Sequence, residues 1–248
     1  MNSKEYRTTT AEVARSADLM RLSPSSGTQA LDVGARDGHF SILLSERFDR
    51  VYALDLVKPK IDSDKVICVQ GDATQLSYRD GEFDLVLCAE VLEHIPSKDL
   101  TVVCQELGRV SGKYLLIGVP YRQDIRVGRT TCGTCSGFNP PWGHVNTFDE
   151  DRLTELFPRL RMVEKSFVGS SSETTNWMSA WLMDIAGNPY GTYEQDESCI
   201  HCGLALQRPI ERSFFSRSIA KISILLQGVC RGMDERRPKW IHVLFEKP

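Results

Sequence analysis

The chain of 248 residues has no long apolar run. Its richest stretch, SIAKISILLQGVC (218–230), is broken by Lys221 and falls short of the ~18–20 residues that a membrane-spanning helix needs. The N-terminus, MNSKEYRTTT, has none of the apolar character of a secretory signal, so a cytoplasmic protein is expected. A basic excess is missing too. The 30 lysines and arginines stand against 33 aspartates and glutamates, a formal net charge of −3. That balance argues against a phosphate backbone as principal partner. No internal repeat and no low-complexity segment is visible.

What is present is an alternation. Val13, Ala17 and Met20 recur at helical spacing across 10–22, and SPSSG then breaks the helix. QALDVG (29–34) reads as a buried strand ending in a glycine turn. Phe40, Leu43, Leu44 and Phe48 mark one helical face. RVYALDL (50–56), KVICVQGD (65–72) and FDLVLCAE (83–90) are further strands. Ser97 is placed to cap a helix with Leu100, Val103, Cys104 and Leu107 inside. KYLLIGVP (113–120) is the fifth strand. Continuous apolar strands alternating with helices predict an α/β fold with a doubly wound, mostly parallel sheet covered on both faces.

Beyond 120 the pattern loosens. Asp149 can cap a helix with Leu153, Leu156 and Phe157 inside, and 161–169 and 239–248 read as strands. One domain over 1–248 is expected, with 121–147 and 170–237 as insertions.

Polar or glycine signals follow four consecutive strands. LDVGARDGHFS (31–41) joins the first strand to its helix, where glycines allow a sharp turn and free N–H groups face a polar ligand. Asp55 ends the second strand, in reach of both hydroxyls of a ribose. Asp72 and Ala73 follow the third, and Ala89 and Glu90 the fourth. Each alone also fits an ordinary turn; the joint pattern is more specific. The dinucleotide fingerprint fails, because its second and third glycines would fall at Arg36 and His39.

The pieces LDVGARDG, ALDL, GDA, FDLVLCAEVLEHI and GHVNTFDEDRLTELF resemble class I methyltransferases of the type 11 kind, which use S-adenosylmethionine. More loosely, the chain resembles methyltransferases found with bacterial surface-polysaccharide enzymes. The resemblance implies a Rossmann-like sheet of seven strands with a terminal antiparallel hairpin. It implies cofactor contacts from Asp32, Gly34, Ala35, Arg36, Gly38, Asp55, Leu56, Asp72, Ala73, Ala89 and Glu90. Arg36 stands where the family usually has glycine, which a solvent-directed side chain at negative φ would tolerate. Methyl transfer to a hydroxyl of a small molecule or glycan, a sugar above all, is the expected activity. An inactive, zinc-stapled binding module and an RNA methyltransferase are the alternatives.

The chain has eight cysteines. Cys68, Cys88, Cys104 and Cys230 lie in apolar patterns and read as core residues. Cys132/Cys135 and Cys199/Cys202 form two CxxC pairs, one in each insertion. Four thiolates suit a structural Zn²⁺, and the metal would join the insertions into a small subdomain. Redox pairs are the other reading. His94 in EVLEHI and His144 in WGHVNTF are candidates for the base that takes the acceptor proton, and structural roles fit both equally. Trp142 offers a stacking face for a sugar ring. A helix near 213–231, with Ile219, Ile222, Leu226 and Val229 inside, carries Arg212, Arg217, Lys221 and Arg231. Its basic face fits peripheral membrane contact or plain solvation.

Overall fold

The computed structural model describes residues 5, 7–208, 213–231 and 236–248, with the side chains of 229–231 set aside. Arg212, and the side chains of Val229, Cys230 and Arg231, therefore lie outside the described residues. The chain divides into two compact units. The first comprises Met1–Tyr121, Phe148–Gly169 and Pro238–Pro248; the second comprises Arg122–Thr147 and Ser170–Arg237.

The first unit opens with helix α1 (Thr10–Leu22), followed by β1 (Gly27–Val33), α2 (His39–Ser45), β2 (Phe48–Asp55), β3 (Val66–Gln70) and β4 (Phe83–Ala89). Then come α3 (Leu100–Val110) and β5 (Ser111–Pro120). The strands pair in the order β3-β2-β1-β4-β5, all parallel. After the first insertion, α4 (Glu150–Leu156) leads to β8 (Arg161–Val168). After the second, β9 (Trp240–Glu246) enters between β5 and β8, antiparallel to both, and completes seven strands. The expected terminal hairpin is thus present.

The central strands are apolar throughout because each face has its own core. Ala30, Leu85, Leu87 and Leu116 pack with Leu19 of α1 and Phe40 and Leu44 of α2. Leu31, Val86, Cys88, Leu115 and Ile117 pack on the opposite side with Val103, Cys104 and Leu107 of α3 and Leu153 of α4. Successive residues of one strand serve different cores, as the period of two requires.

Four details depart from the sequence expectations. The helix α2 stops at Ser45, and Phe48 is the first residue of β2, buried from the strand instead. Asp99, not Ser97, occupies the N-cap position of α3, and its side chain makes no cap bond. Cys68 is only half-buried. In α1, Val13 and Ala17 face outward. The buried face is Glu12, Arg15, Ser16 and Leu19, a stripe at i, i+3, i+4 and i+7 that contains an ion pair. Asp149 does cap α4, accepting from the Arg152 N–H at 3.1 Å.

The second unit holds a two-strand ribbon, β6 (Thr130–Thr131) with β7 (Phe138–Asn139), and two longer helices, α5 (Trp177–Ile185) and α6 (Phe214–Arg231). Around the cysteines its described core is small, with Tyr193 and Leu206 packed on Cys132 and Cys199.

Candidate functional site

The parallel register brings four strand ends to one edge of the first unit. Asp32 is level with Ala53, Asp55 with Gln70, Val33 with Cys88, and Ala89 with Gly118. Asp32, Asp55, Ala89 and the turns that follow are neighbours for that reason.

The first turn is tightly specified. Gly34 has φ +77°, and a Cβ there would lie 2.3 Å from Val91 Cγ2. Only glycine meets both demands. The Gly34 and Ala35 N–H groups donate to the Leu54 carbonyl at 2.8 and 3.1 Å, which fastens the turn to β2. Gly38, also at positive φ, precedes α2, and its N–H closes on the Ala35 carbonyl at 2.7 Å. Arg36 departs from expectation. Its side chain is exposed, but its φ is +43°. A left-handed arginine costs about 1–2 kcal/mol, and its N–H donating to Asp55 Oδ2 at 2.9 Å offsets part of that.

Asp32 is buried at the end of β1 and accepts a hydrogen bond from the Ser41 hydroxyl. Burial pushes its carboxyl up to about 6. Asp55 ends β2 beside the exposed Leu56 and Val57. Two exposed apolar side chains next to a carboxylate suit a ligand with a flat apolar ring and a diol. Asp72 is exposed and accepts from the Thr74 N–H at 2.8 Å, so hydrogen bonds from Thr74 lower its pKa. Ala73 lies in the core beneath it.

Glu90, after β4, has φ +58° and donates its N–H to the Gly118 carbonyl at 2.9 Å. Its Oε2 accepts from Trp240 Nε1 at 3.2 Å, and Arg15 Nη1 stands 3.9 Å from its Oε1. Burial raises the Glu90 pKa. Glu93 is fully buried, and neither carboxyl oxygen has a hydrogen-bond partner among the described residues. Burial, with Glu90 nearby, raises its pKa well above the ordinary carboxylate value and disfavours the ionised form. Burial thus works against the ionised form of both carboxyls. His94 lies in the turn after β4, its N–H on the Val91 carbonyl at 3.0 Å. Burial, and then the Arg36 charge, lowers its imidazole to about 4. His94 is therefore neutral at pH 7.

The N-terminal helix was not expected at this edge. Arg15 makes two 2.8 Å bonds to Glu12 and sits over the Phe40 and Trp240 rings. Arg7 pairs with Asp37 at 2.9 Å, and Ser16 Oγ lies 2.9 Å from His39 Nε2. So α1 and Arg7, just before it, are tied to the first turn on both sides of Gly38. Glu12, Arg15, Ser16 and Leu19 do share one helical face in the sequence, which is the available signal.

Residues 31–116 match the family described as Methyltransferase domain. The chain carries a class I methyltransferase domain. Its coarse activity is S-adenosylmethionine-dependent methyl transfer. The fold is also that of an N-methyltransferase, NodS, from Bradyrhizobium japonicum WM9. That likeness has TM-score 0.54 and 16% identity over 98% of this chain and 99% of that one. A second likeness is the 1,6-didemethyltoxoflavin N1-methyltransferase of Burkholderia thailandensis, solved with its substrate and S-adenosylhomocysteine. It has TM-score 0.51 and 21% identity over 66% of this chain and 74% of that one. A third, the [4+2]-cyclase SpnF, has TM-score 0.55 and 14% identity over 97% and 83%. At these identities the likenesses speak for the fold, and the cyclase shows that the fold hosts other chemistry. No curated protein matches the chain in sequence.

The second unit holds a separate cluster. Cys132, Cys135, Cys199 and Cys202 place their four sulfurs within 4.8 Å of one another. Cys132 lies 3.7 Å from Cys202, and Cys135 3.6 Å from Cys199. A tetrahedral ion at a Zn–S distance of about 2.3 Å needs sulfurs about 3.8 Å apart. The two CxxC turns share one backbone pattern. The Ser136 N–H returns to the Cys132 carbonyl at 2.9 Å, and the Gly203 N–H to Cys199 at 2.8 Å. Ser136 and Gly203 both have positive φ. His201 bonds the Phe138 carbonyl at 3.0 Å and stands outside the sulfur group. His144, in the same unit, is buried, with Nδ1 2.6 Å from Gln123 Oε1.

Proposed function

We propose that the protein transfers a methyl group from S-adenosylmethionine to a hydroxyl of a small molecule or glycan, with sugars the favoured acceptors. The observation that carries the cofactor half is the pair formed by the Gly34–Gly38 turn and Asp55 on adjacent parallel strands. In this reading Asp55 takes the ribose hydroxyls, Leu56 lies against the adenine, and Asp72 and Ala73 border its edge. Asp32, Gly34, Ala35, Arg36, Gly38, Ala89 and Glu90 surround the methionine part.

The cofactor supplies an electrophilic methyl sulfonium, so much of the catalysis lies in holding the acceptor in line. An alcohol must still lose its proton. The carboxyls of Glu90 and Glu93 are poor candidates, since burial disfavours their ionised forms. The neutral imidazole of His94 can accept a proton, although at about 4 it is a weak base. At His144, an Nδ1–H given to the Gln123 carbonyl oxygen makes Nε2 the basic nitrogen. Trp142 is half-exposed and offers a ring face to a sugar. The test is transfer of labelled methyl to nucleotide sugars and glycans, set against amines, in wild type, His94→Ala and His144→Ala. Wild-type rates in both variants refute the histidine role. Labelling of amines alone refutes the hydroxyl acceptor.

The second unit is proposed to hold one structural Zn²⁺ on Cys132, Cys135, Cys199 and Cys202. The sulfur spacing supports this, as does the small core around the thiols.

A further inference from the structure

Each CxxC turn of the second unit shows one thiol to solvent and hides the other. Cys135 and Cys202 are exposed, whereas Cys132 and Cys199 are buried. Close sulfur contacts cross from one turn to the other. The exposed Cys135 lies 3.6 Å from the buried Cys199, and the exposed Cys202 lies 3.7 Å from the buried Cys132. Each accessible thiol of the cluster therefore has an inaccessible one at its side. That is the arrangement of an oxidisable thiol with a resolving partner. Cys88 and Cys104, by contrast, are both buried in the core of the first unit, away from any aqueous oxidant.

The two turns are also held together by contacts that do not involve sulfur. The Ile200 N–H donates to Asn139 Oδ1 at 2.8 Å, and His201 Nε2 donates to the Phe138 carbonyl at 3.0 Å. A Cβ on Gly137 would lie 2.3 Å from His201 Cδ2, so the imidazole packs directly on the glycine backbone. These ties run from the segment after Cys135 to the residues between Cys199 and Cys202. They keep the thiols opposed whether or not the sulfurs hold an ion. An S–S bond is about 2.05 Å long, so each cross pair has roughly 1.6 Å left to close.

We propose that hydroperoxide converts this cluster into two disulfides, Cys135–Cys199 and Cys132–Cys202, in exchange for its metal. Only the metal half rests on the zinc reading. The Cys135 thiolate attacks one peroxide oxygen. An S–O bond forms, the O–O bond breaks and hydroxide leaves. The Cys199 thiolate then attacks the Cys135 sulfur. The S–S bond forms, the S–O bond breaks and a second hydroxide leaves. The two thiolates give up two electrons, the peroxide takes them, and the buffer protonates both hydroxides to water. Cys202 and Cys132 react in the same way with a second peroxide. Sulfurs joined in disulfides are no longer anionic donors, so they release Zn²⁺ with its charge unchanged. Both new bonds cross between the insertions, so the insertions stay joined without the ion.

The experiment treats the full, zinc-loaded chain at neutral pH with about a tenfold molar excess of hydrogen peroxide. A chromogenic chelator reads released metal, and tandem mass spectrometry of alkylated peptides reads the sulfur pairing. Zinc is expected to leave as about two peroxides per chain are consumed, with Cys135 joined to Cys199 and Cys132 to Cys202. Dithiothreitol with added zinc is expected to restore the metal. C132S/C202S keeps one cross pair and is expected to close it about tenfold faster than C199S/C202S closes Cys132 with Cys135. Disulfides within a CxxC turn overturn the proposal. So does zinc released with sulfinic acids and no disulfide, and so does zinc that stays bound throughout. A wild type that carries no zinc refutes the metal reading, and its peroxide products still decide the pairing.

Discussion

The Arg36 amide donates to the Asp55 carboxylate at 2.9 Å, so the turn after β1 is held by the end of β2. Asp55 thus serves the loop and the expected ribose together. Asp55→Ala should weaken S-adenosylhomocysteine binding by one to two decades, about 1–3 kcal/mol. Calorimetry checks this, and unchanged affinity would show that the carboxylate does not hold the ribose. Asp55→Asn, which keeps an oxygen for the Arg36 amide, should lose less.

The thiol cluster gives a second expectation. Gently purified protein should contain one zinc per chain, and Cys135→Ser should lose it. Loss of the metal should loosen the second unit, whose described core at the thiols is small. The cofactor edge is built by the other unit, so cofactor affinity in Cys135→Ser should stay within a few-fold of wild type. Elemental analysis and calorimetry on one preparation read both. A metal-free wild type refutes the zinc.

Acid stability should carry the mark of His94. Its folded pKa is depressed to about 4 from the ordinary 6.5. The unfolded chain therefore takes up the proton first as pH falls. The stabilisation is complete above about 6.5 and is lost as pH falls toward 4, at most about 3 kcal/mol. Asp32 works in the opposite sense, since its pKa is raised to about 6. Between about 4 and 6 the folded state holds that proton, so acidification there favours folding through Asp32. Denaturant titrations at pH 7 and pH 5 should show a smaller acid loss for His94→Gln than for wild type. Equal losses would mean that His94 titrates normally.

Arg15 is buried with Glu12 and stands near Glu90. Arg15→Met should cost about 2–4 kcal/mol, because it leaves a buried carboxylate with less compensation. Arg7, which also reaches Glu12, limits the loss. Glu12→Gln with Arg15→Met should recover part of the stability, and urea titration measures both. A double variant no better than the single would place the loss in packing on Phe40 and Trp240.

The sequence made the strands legible because a strand covered on both faces must be apolar nearly throughout, as Leu85–Cys88 and Leu115–Ile117 are. The two CxxC pairs were legible as a group because thiol spacing is chemical and survives a separation of 64 positions. The inward face of α1 was not. Periodicity reads apolar residues as inside, and Glu12 and Arg15 are buried only because they pair with each other, near a partner far along the chain. The buried face of α6 was misread for the converse reason. Ile222 points outward, while Ala220 and Ser223 fill the seam. The backbone of Arg36 was expected at negative φ, but the bond to Asp55 holds it left-handed.

The place of β9 between β5 and β8 bears on how the protein is made. A ribosome delivers β1 to β5, then β8, and β9 after the whole second insertion. Until β9 emerges, β5 and β8 have no partner on their facing edges, and open strand edges invite wrong pairing. All four thiols have left the ribosome by then, since Cys202 precedes β9. Metal capture would shorten the effective tether between β5 and β9 while the sheet is still open, which lowers the entropic cost of the final closure. The cysteine cluster, remote in sequence from the strands, would then act on the timing of their assembly.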